Sequence, residues 1–257
     1  MCYDDNARPP VPDGADGQAQ GEDLVLTAAD GNRFAAYFAR PAAPTGAQVI
    51  IYPDVRGLHQ FYKELALRFA DIGIAAIALD YFGRTAGLTA RDDSFEFWPH
   101  VQQLKLENFF LDVRAALDYL RSHASAEGAT FPVGFCMGGS LTILSGCDRS
   151  FGFAGLIAFY AGLSRPIAGN GTALERADQL VYPLLGLFGG ADQGIPVSQV
   201  HELEEKLRQR GLEHQIHIYE GAPHSFFDRR YSEYAEACAD AWQRVRDFIA
   251  AHSHSRT

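Results

Sequence analysis

The run Pro132-Val133-Gly134-Phe135-Cys136-Met137-Gly138-Gly139-Ser140 sets one reactive thiol among small residues. An apolar stretch that reads as a strand precedes it, and Leu141 to Gly146, which reads as a helix, follows. A side chain held at the tip of a sharp strand-to-helix turn needs glycine on both sides, because the turn is tight and the helix must approach the strand closely. Gly134 and Gly138 stand at those positions. A helix N-terminus carries partial positive charge, which favours thiolate and makes Cys136 a candidate nucleophile. The Met137 amide would then face the oxyanion formed as the thiol attacks a carbonyl. The plainer reading is a buried cysteine in a glycine-rich turn.

Two further segments bear on that choice. Leu187-Phe188-Gly189-Gly190-Ala191-Asp192-Gln193-Gly194 puts an acid in a loop just past a strand, and Glu220-Gly221-Ala222-Pro223-His224-Ser225-Phe226 puts a histidine after the last strand. Ligands and catalytic groups of open α/β sheets gather beyond strand ends of this kind. A lone aspartate in a loop is usually a turn residue, and one histidine among nine is usually structural. A thiol, an acid and a histidine, each after a strand, instead suggest a nucleophile, a general base and the group that orients the base. Phe135, Tyr160 and Trp98 are open between lining an apolar acyl pocket and belonging to the core.

The elements that must position these groups follow from periodicity. Strands are expected at Gln48 to Tyr52, Ile74 to Leu79, Thr130 to Val133, Phe153 to Phe159, Leu184 to Phe188 and Gln215 to Tyr219. Helical spacing links Phe61, Leu65, Phe69 and Ile72, then Leu106, Phe110, Val113, Leu117 and Leu120, and a last helix is expected from Ser232 to Ala251. Asp23 to Thr27 and Phe34 to Phe38 flank Asp30-Gly31-Asn32 and read as a hairpin. The expected class is α/β: a mostly parallel sheet with helices on both faces and an N-terminal antiparallel hairpin. Residues 1–21, rich in Pro, Gly and Asp, read as an extended or mobile arm, and 22–257 as a single catalytic domain. Pro132 conflicts with a central strand, where its missing amide would be needed.

Composition narrows the function. A formal charge of −10 repels phosphate backbones and anionic lipid surfaces, so neither nucleic acid nor membrane is an expected partner. No apolar run reaches the roughly 20 residues that span a bilayer. The start Met1-Cys2-Tyr3-Asp4-Asp5 lacks a basic and an apolar region, so a cytoplasmic location is expected. Four widely spaced cysteines do not suggest a disulfide scaffold or zinc site. Cys147 and Cys238, on apolar helical faces, read as inert core thiols.

Together, G-F-C-M-G-G, G-G-A-D and G-A-P-H-S-F resemble the dienelactone hydrolases of the α/β-hydrolase superfamily, and the resemblance runs from about Ala47 to Ile249. It implies hydrolysis of a small ester or lactone through a cysteine thioester, with no metal or organic cofactor. By position, Cys136 is the nucleophile, His224 the base and later the acid, and Asp192 the group orienting His224. Pro53-Asp54-Val55-Arg56-Gly57 resembles the family segment whose acidic residue contacts the nucleophile and whose next amide, here Val55, completes the oxyanion hole. The family has glutamate there, so Asp54 is one methylene short, and Arg56 is a candidate ion-pair partner for it. Carboxylate capture by arginine in the family maps onto Arg84 and, displaced by one residue, onto Arg229, while Arg230 reads as a solvated charge. The substrate is thus expected to be a small ester or lactone with or without a carboxylate. The short Asp54 also motivates a different reading, a binding or thiol redox-sensing protein that does not turn over.

Overall fold

A computed structural model describes residues 5–253 apart from 126, 168, 170 and 229. Among them β1 (Gln20–Thr27), β2 (Arg33–Arg40), β3 (Gln48–Tyr52), β4 (Ala75–Leu79), β5 (Thr130–Phe135), β6 (Leu156–Phe159), β7 (Leu184–Gly189) and β8 (His214–Tyr219) form one sheet. Its order is β1-β2-β4-β3-β5-β6-β7-β8. Only β1–β2 and β2–β4 pair antiparallel, so the hairpin caps an otherwise parallel sheet. Strands β3 to β7 are buried along their whole length, which is why they read as unbroken apolar runs. The half-exposed β1 alternates toward its end instead.

The helices are α1 (Gln60–Asp71), α2 (Gly83–Ala86), α3 (Trp98–Val101), α4 (Leu106–His123), α5 (Met137–Ser145), α6 (Ala173–Arg176), α7 (Val197–Gln209) and α8 (Ala235–His252). In α1 the buried stripe Phe61, Leu65 and Phe69 is the expected one. In α4 Phe109 takes the fully buried place expected of Phe110, with Val113, Leu117 and Leu120 as read. Helix α5 starts at Met137, four residues before the expected Leu141, because the turn at Cys136 passes directly into helix. All of α5 is buried, so it has no amphipathic stripe to mark its start. Strand β6 starts at Leu156 instead of Phe153, after the left-handed turn at Gly152.

Pro132 lies inside β5 after all, opposite Ile50 of β3. The Ala154 amide donates to the Thr130 carbonyl at 2.9 Å and the Cys136 amide to Phe159 at 3.1 Å, so even-numbered β5 residues turn their peptide groups toward β6. Pairing of β5 with β6 begins at Val133 and Ile157. Pro132 thus lacks its donor just ahead of the first paired residue, where no ladder bond is lost.

Chain direction along the sheet reverses between β3 and β5: from β3 it runs outward to β4, then returns to β5 on the other side. The crevice beyond the strand ends at such a reversal is where α/β sheets bind ligands.

The N-terminal segment lies along the body of the protein, with Ala7, Pro9, Pro10 and Pro12 buried. The Trp242 indole of α8 donates to the Pro10 carbonyl at 3.0 Å, and Arg246 to that of Asp13 at 2.8 Å. Strand β1 begins at Gln20, inside the stretch expected to be irregular. Among the described residues no helix is long and apolar enough to cross a membrane.

Candidate active site

Cys136 occupies a left-handed backbone conformation, φ 56° and ψ −115°, which a residue with a Cβ adopts only when its surroundings enforce it. Two glycines show what enforces it. A Cβ on Gly134 would lie 2.1 Å from the Gly138 carbonyl oxygen, and one on Gly138 would lie 2.0 Å from that of Tyr52 and 2.3 Å from that of Pro53. The first turn of α5 therefore presses against both the strand it leaves and the end of β3. The Cys136 amide donates to Phe159, and its carbonyl accepts the Ser140 amide at 3.2 Å, so the turn is tied on both sides. The side chain is half-buried at the N-terminus of α5, and the Met137 amide is one of the donors that the helix cannot satisfy within itself.

The other described thiols are built differently. Burial pushes the Cys238 thiol up to about 12, and its sulfur lies 3.4 Å from the Phe226 carbonyl. Cys147, half-buried rather than in the core, is also pushed up by burial and reaches the Arg176 carbonyl at 3.5 Å.

Asp192 and His224 meet at 2.6 Å, carboxylate Oδ2 to imidazole Nδ1. The other oxygen of Asp192 accepts the amides of Gly194 at 2.8 Å and Ile195 at 3.2 Å, which fixes the carboxylate plane. The Asp192 side chain is 1% exposed and that of His224 33%, so the pair has a sealed end and an open end. A carboxylate on Nδ1 holds the proton there and leaves Nε2 as the basic nitrogen. Backbone bonds join the two loops: Gly190 donates to Tyr219 at 2.8 Å and Ala191 to Ala222 at 2.9 Å. A Cβ on Gly189 would lie 2.4 Å from the Ala222 carbonyl oxygen, which explains the glycine before the acid.

Tyr160 follows β6 with φ 34°, and its ring lies 5.0 Å from that of His224. It is buried and walls the histidine. Phe135 is also buried, stacked on Phe159 at 4.6 Å and within 6.1 Å of Tyr160, so it forms the floor beneath the elbow. Trp98 is 49% exposed and opens the short helix α3.

On the β3 side, Asp54 is buried, and its Oδ1 accepts the Arg56 amide at 2.9 Å. The Asp54 amide donates to the Tyr62 hydroxyl at 3.0 Å, and the Tyr81 hydroxyl donates to the Pro53 carbonyl at 2.5 Å. Burial pushes the Tyr81 phenol well above its ordinary range, and the negative charge of Asp54 pushes the same way. Tyr81 is thus a buried neighbour of the loop that carries Asp54. Val55, half-buried, carries the next amide in this loop. The Arg56 guanidinium reaches Asp93 at 3.0 Å and Asp5 at 3.3 Å, and its main-chain amide meets Asp54.

Arg84, expected to meet a substrate carboxylate, already has protein partners. Its guanidinium is paired with Asp30, with Asp112 at 2.8 Å and with the Asn108 carbonyl at 3.2 Å, and these contacts tie α2 to the hairpin turn and α4. The capture of a substrate carboxylate would have to break them. Arg229 lies outside the described residues, and Arg230 pairs with Glu233 at 2.7 Å on the surface. Reading the sequence also missed Tyr62 and Tyr81. Tyr81, two residues after β4, has a local signal in its position past a strand end. Tyr62 has none, because it reaches Asp54 from the buried face of α1.

An eight-stranded, mostly parallel sheet with this hairpin, an elbow after β5, an acid after β7 and a histidine after β8 defines the α/β-hydrolase fold. The chain belongs to the dienelactone hydrolase family, whose model matches residues 34–253. It is 31% identical over 234 residues to a putative carboxymethylenebutenolidase of Methylorubrum extorquens, covering 83% of this chain and 75% of that protein. It is 29% identical to a carboxymethylenebutenolidase of Pseudomonas putida, covering 89% and 96%. Among solved structures, a putative dienelactone hydrolase from Klebsiella pneumoniae superposes with a TM-score of 0.76 at 24% identity, covering 90% of this chain and 99% of that one.

Gly138→Ala should force α5 off the Tyr52 and Pro53 carbonyls and cost on the order of 2 kcal/mol or more in a urea melt; an unchanged midpoint would contradict the close approach. A second test uses His59, the N-cap of α1, whose Nδ1 accepts the Phe61 amide and whose Nε2 meets Asp5 at 2.6 Å. Burial, aided by the charge of Arg56, pushes its imidazole from 6.5 down to about 4, although Asp5 pulls the other way. The folded protein keeps His59 neutral where an unfolded chain takes up a proton, so this stability is present above about 6.5 and is lost as pH falls toward 4. The stability advantage of wild type over His59→Asn should therefore shrink across that window, and an advantage that grows on acidification would contradict it.

Proposed function

We propose that this protein cleaves a small ester or lactone by way of a thioester on Cys136. His224 takes the thiol proton as the sulfur attacks the carbonyl carbon, and the amides of Met137 and Val55 hold the oxyanion. As the carbon–oxygen bond breaks, His224 returns the proton to the leaving alkoxide. Water then attacks the thioester with His224 again as base, releasing the acid and restoring the thiol. Asp192 keeps His224 in the required tautomer and bears its transient charge. Asp54 serves this scheme by bonding the Arg56 amide and so shaping the loop that carries the Val55 amide.

The observation that carries the reading is the 2.6 Å Asp192–His224 pair, with its acid end sealed, in loops that follow β7 and β8 as the half-buried thiol on its strained elbow follows β5. Tyr160 and Phe135 are the apolar surfaces offered to the acyl group. With Arg84 already on two carboxylates, the reading requires no carboxylate on the substrate. Membership of an ester- and lactone-hydrolysing family supports the same bond type.

A panel of chromogenic esters and simple lactones tests it. Cys136→Ala should lower kcat/KM by about 10³-fold or more, and Asp192→Asn, which keeps the shape but not the charge, by a factor on the order of 10²–10⁴. Equal rates for wild type and Cys136→Ala would overturn the proposal. A wild-type thiol that is alkylated rapidly yet releases no product from any ester would favour the thiol-sensing reading instead.

A further inference from the structure

The loop that carries Asp54 and Val55 is gripped from outside the crevice. Arg56 has a side chain only 2% exposed, and a charged group is costly to bury unless it is paired and hydrogen-bonded. Its fork spans two segments distant in sequence: Nη2 lies 3.3 Å from Asp5 in the N-terminal arm, and Nη1 lies 3.0 Å from Asp93 in the loop between α2 and α3. Those two aspartates also hold each other, since the Asp5 amide donates to the Asp93 carboxylate and the Asp93 amide to the Asp5 carboxylate, each at 3.1 Å. His59 adds its hydrogen bond to Asp5 from the start of α1.

One side-chain oxygen or nitrogen each of Asp5, His59 and Asp93 lies within 4.8 Å of the others, and the guanidinium supplies the positive charge beside them. Behind it the same loop is held again: Asp80 accepts the Leu58 amide at 3.0 Å and is itself paired with buried Arg91 at 2.9 Å. The side chain of Arg56 is thus anchored to the arm and to the loop before α3, while its own amide ends on Asp54.

We propose that Arg56 is a positioning residue, and that the arm and the Asp93 loop clamp its guanidinium so as to fix the peptide that bonds Asp54 and holds the Val55 amide toward the reacting carbonyl. The inference rests on the thioester reading above. Its physical basis is that a buried cation is strongly destabilising once its partners are removed, so the unclamped guanidinium must leave and draw its own peptide with it. Displacement of a catalytic group by about 1 Å costs about 10²-fold in rate.

The test compares wild type, Arg56→Lys, Arg56→Met and the double variant Asp5→Asn with Asp93→Asn, each as the full chain. Stopped-flow release of nitrophenol gives the acylation step, and amide exchange followed by mass spectrometry gives the mobility of residues 54–58 against α5. In the double variant and Arg56→Met, acylation should slow by about tenfold or more with KM nearly unchanged, and exchange should quicken in 54–58 but not in α5. Arg56→Lys, which keeps the charge and loses the fork, should fall between them and wild type. Wild-type acylation rates in the double variant, or faster exchange throughout the protein with kcat intact, overturn the clamp and leave the esterase reading standing. Absence of any acylation in wild type overturns the esterase reading, and the catalytic purpose of the clamp falls with it.

Discussion

Everything in the crevice depends on how closely α5 approaches the end of β3. The carbonyl oxygens of Tyr52 and Pro53 lie where a methyl group on Gly138 would be, and the Gly138 carbonyl lies where one on Gly134 would be. With both spaces closed, the chain can pass from β5 into α5 only through a left-handed residue, and that residue is Cys136. Positive φ at a residue with a Cβ costs about 1–3 kcal/mol, which the buried packing of β3, β5 and α5 must offset. The same contact sets the distance between the elbow and the loop carrying Asp54 and Val55. Movement of either element would therefore displace the Cys136 thiol and the Met137 and Val55 amides relative to one another.

The second half of the site is built by the same device on the other side. Gly189 lets the acid loop touch the Ala222 and Pro223 carbonyls, and two backbone bonds fasten that loop to the one holding His224. The acid is buried and doubly bonded by amides, whereas the histidine keeps an open edge. Tyr160, with φ 34°, is a second left-handed residue beside the histidine, and Ser225 at φ 60° is a third. Three such residues at the ends of β5, β6 and β8 mark where backbone strain is concentrated, as it is in functional sites generally.

What could be read in the sequence was local. Glycine spacing around Cys136, the acid after one strand and the histidine after another are each confined to a few residues, and periodicity located every strand to within a few positions. What could not be read depended on partners far along the chain. Arg84 looks like a free cation after a strand until Asp30 from the hairpin and Asp112 from α4 are brought beside it. The pairing of Arg56 with Asp5 spans 51 residues, and the arm's composition suggests only an irregular chain. Pro132 seemed to contradict its strand because sequence alone does not tell which neighbour its missing amide would face. Helix α5 hid its start because it is buried on all sides.

The account is tested most directly by mapping the covalent intermediate. Wild-type protein mixed with an activated ester, quenched in acid within the first turnover and digested, should carry the acyl mass on the peptide containing Cys136 and on no other, and the adduct should disappear on longer incubation as water cleaves the thioester. Acylation at another residue, or product formed while Cys136 remains unmodified at every time, would contradict it.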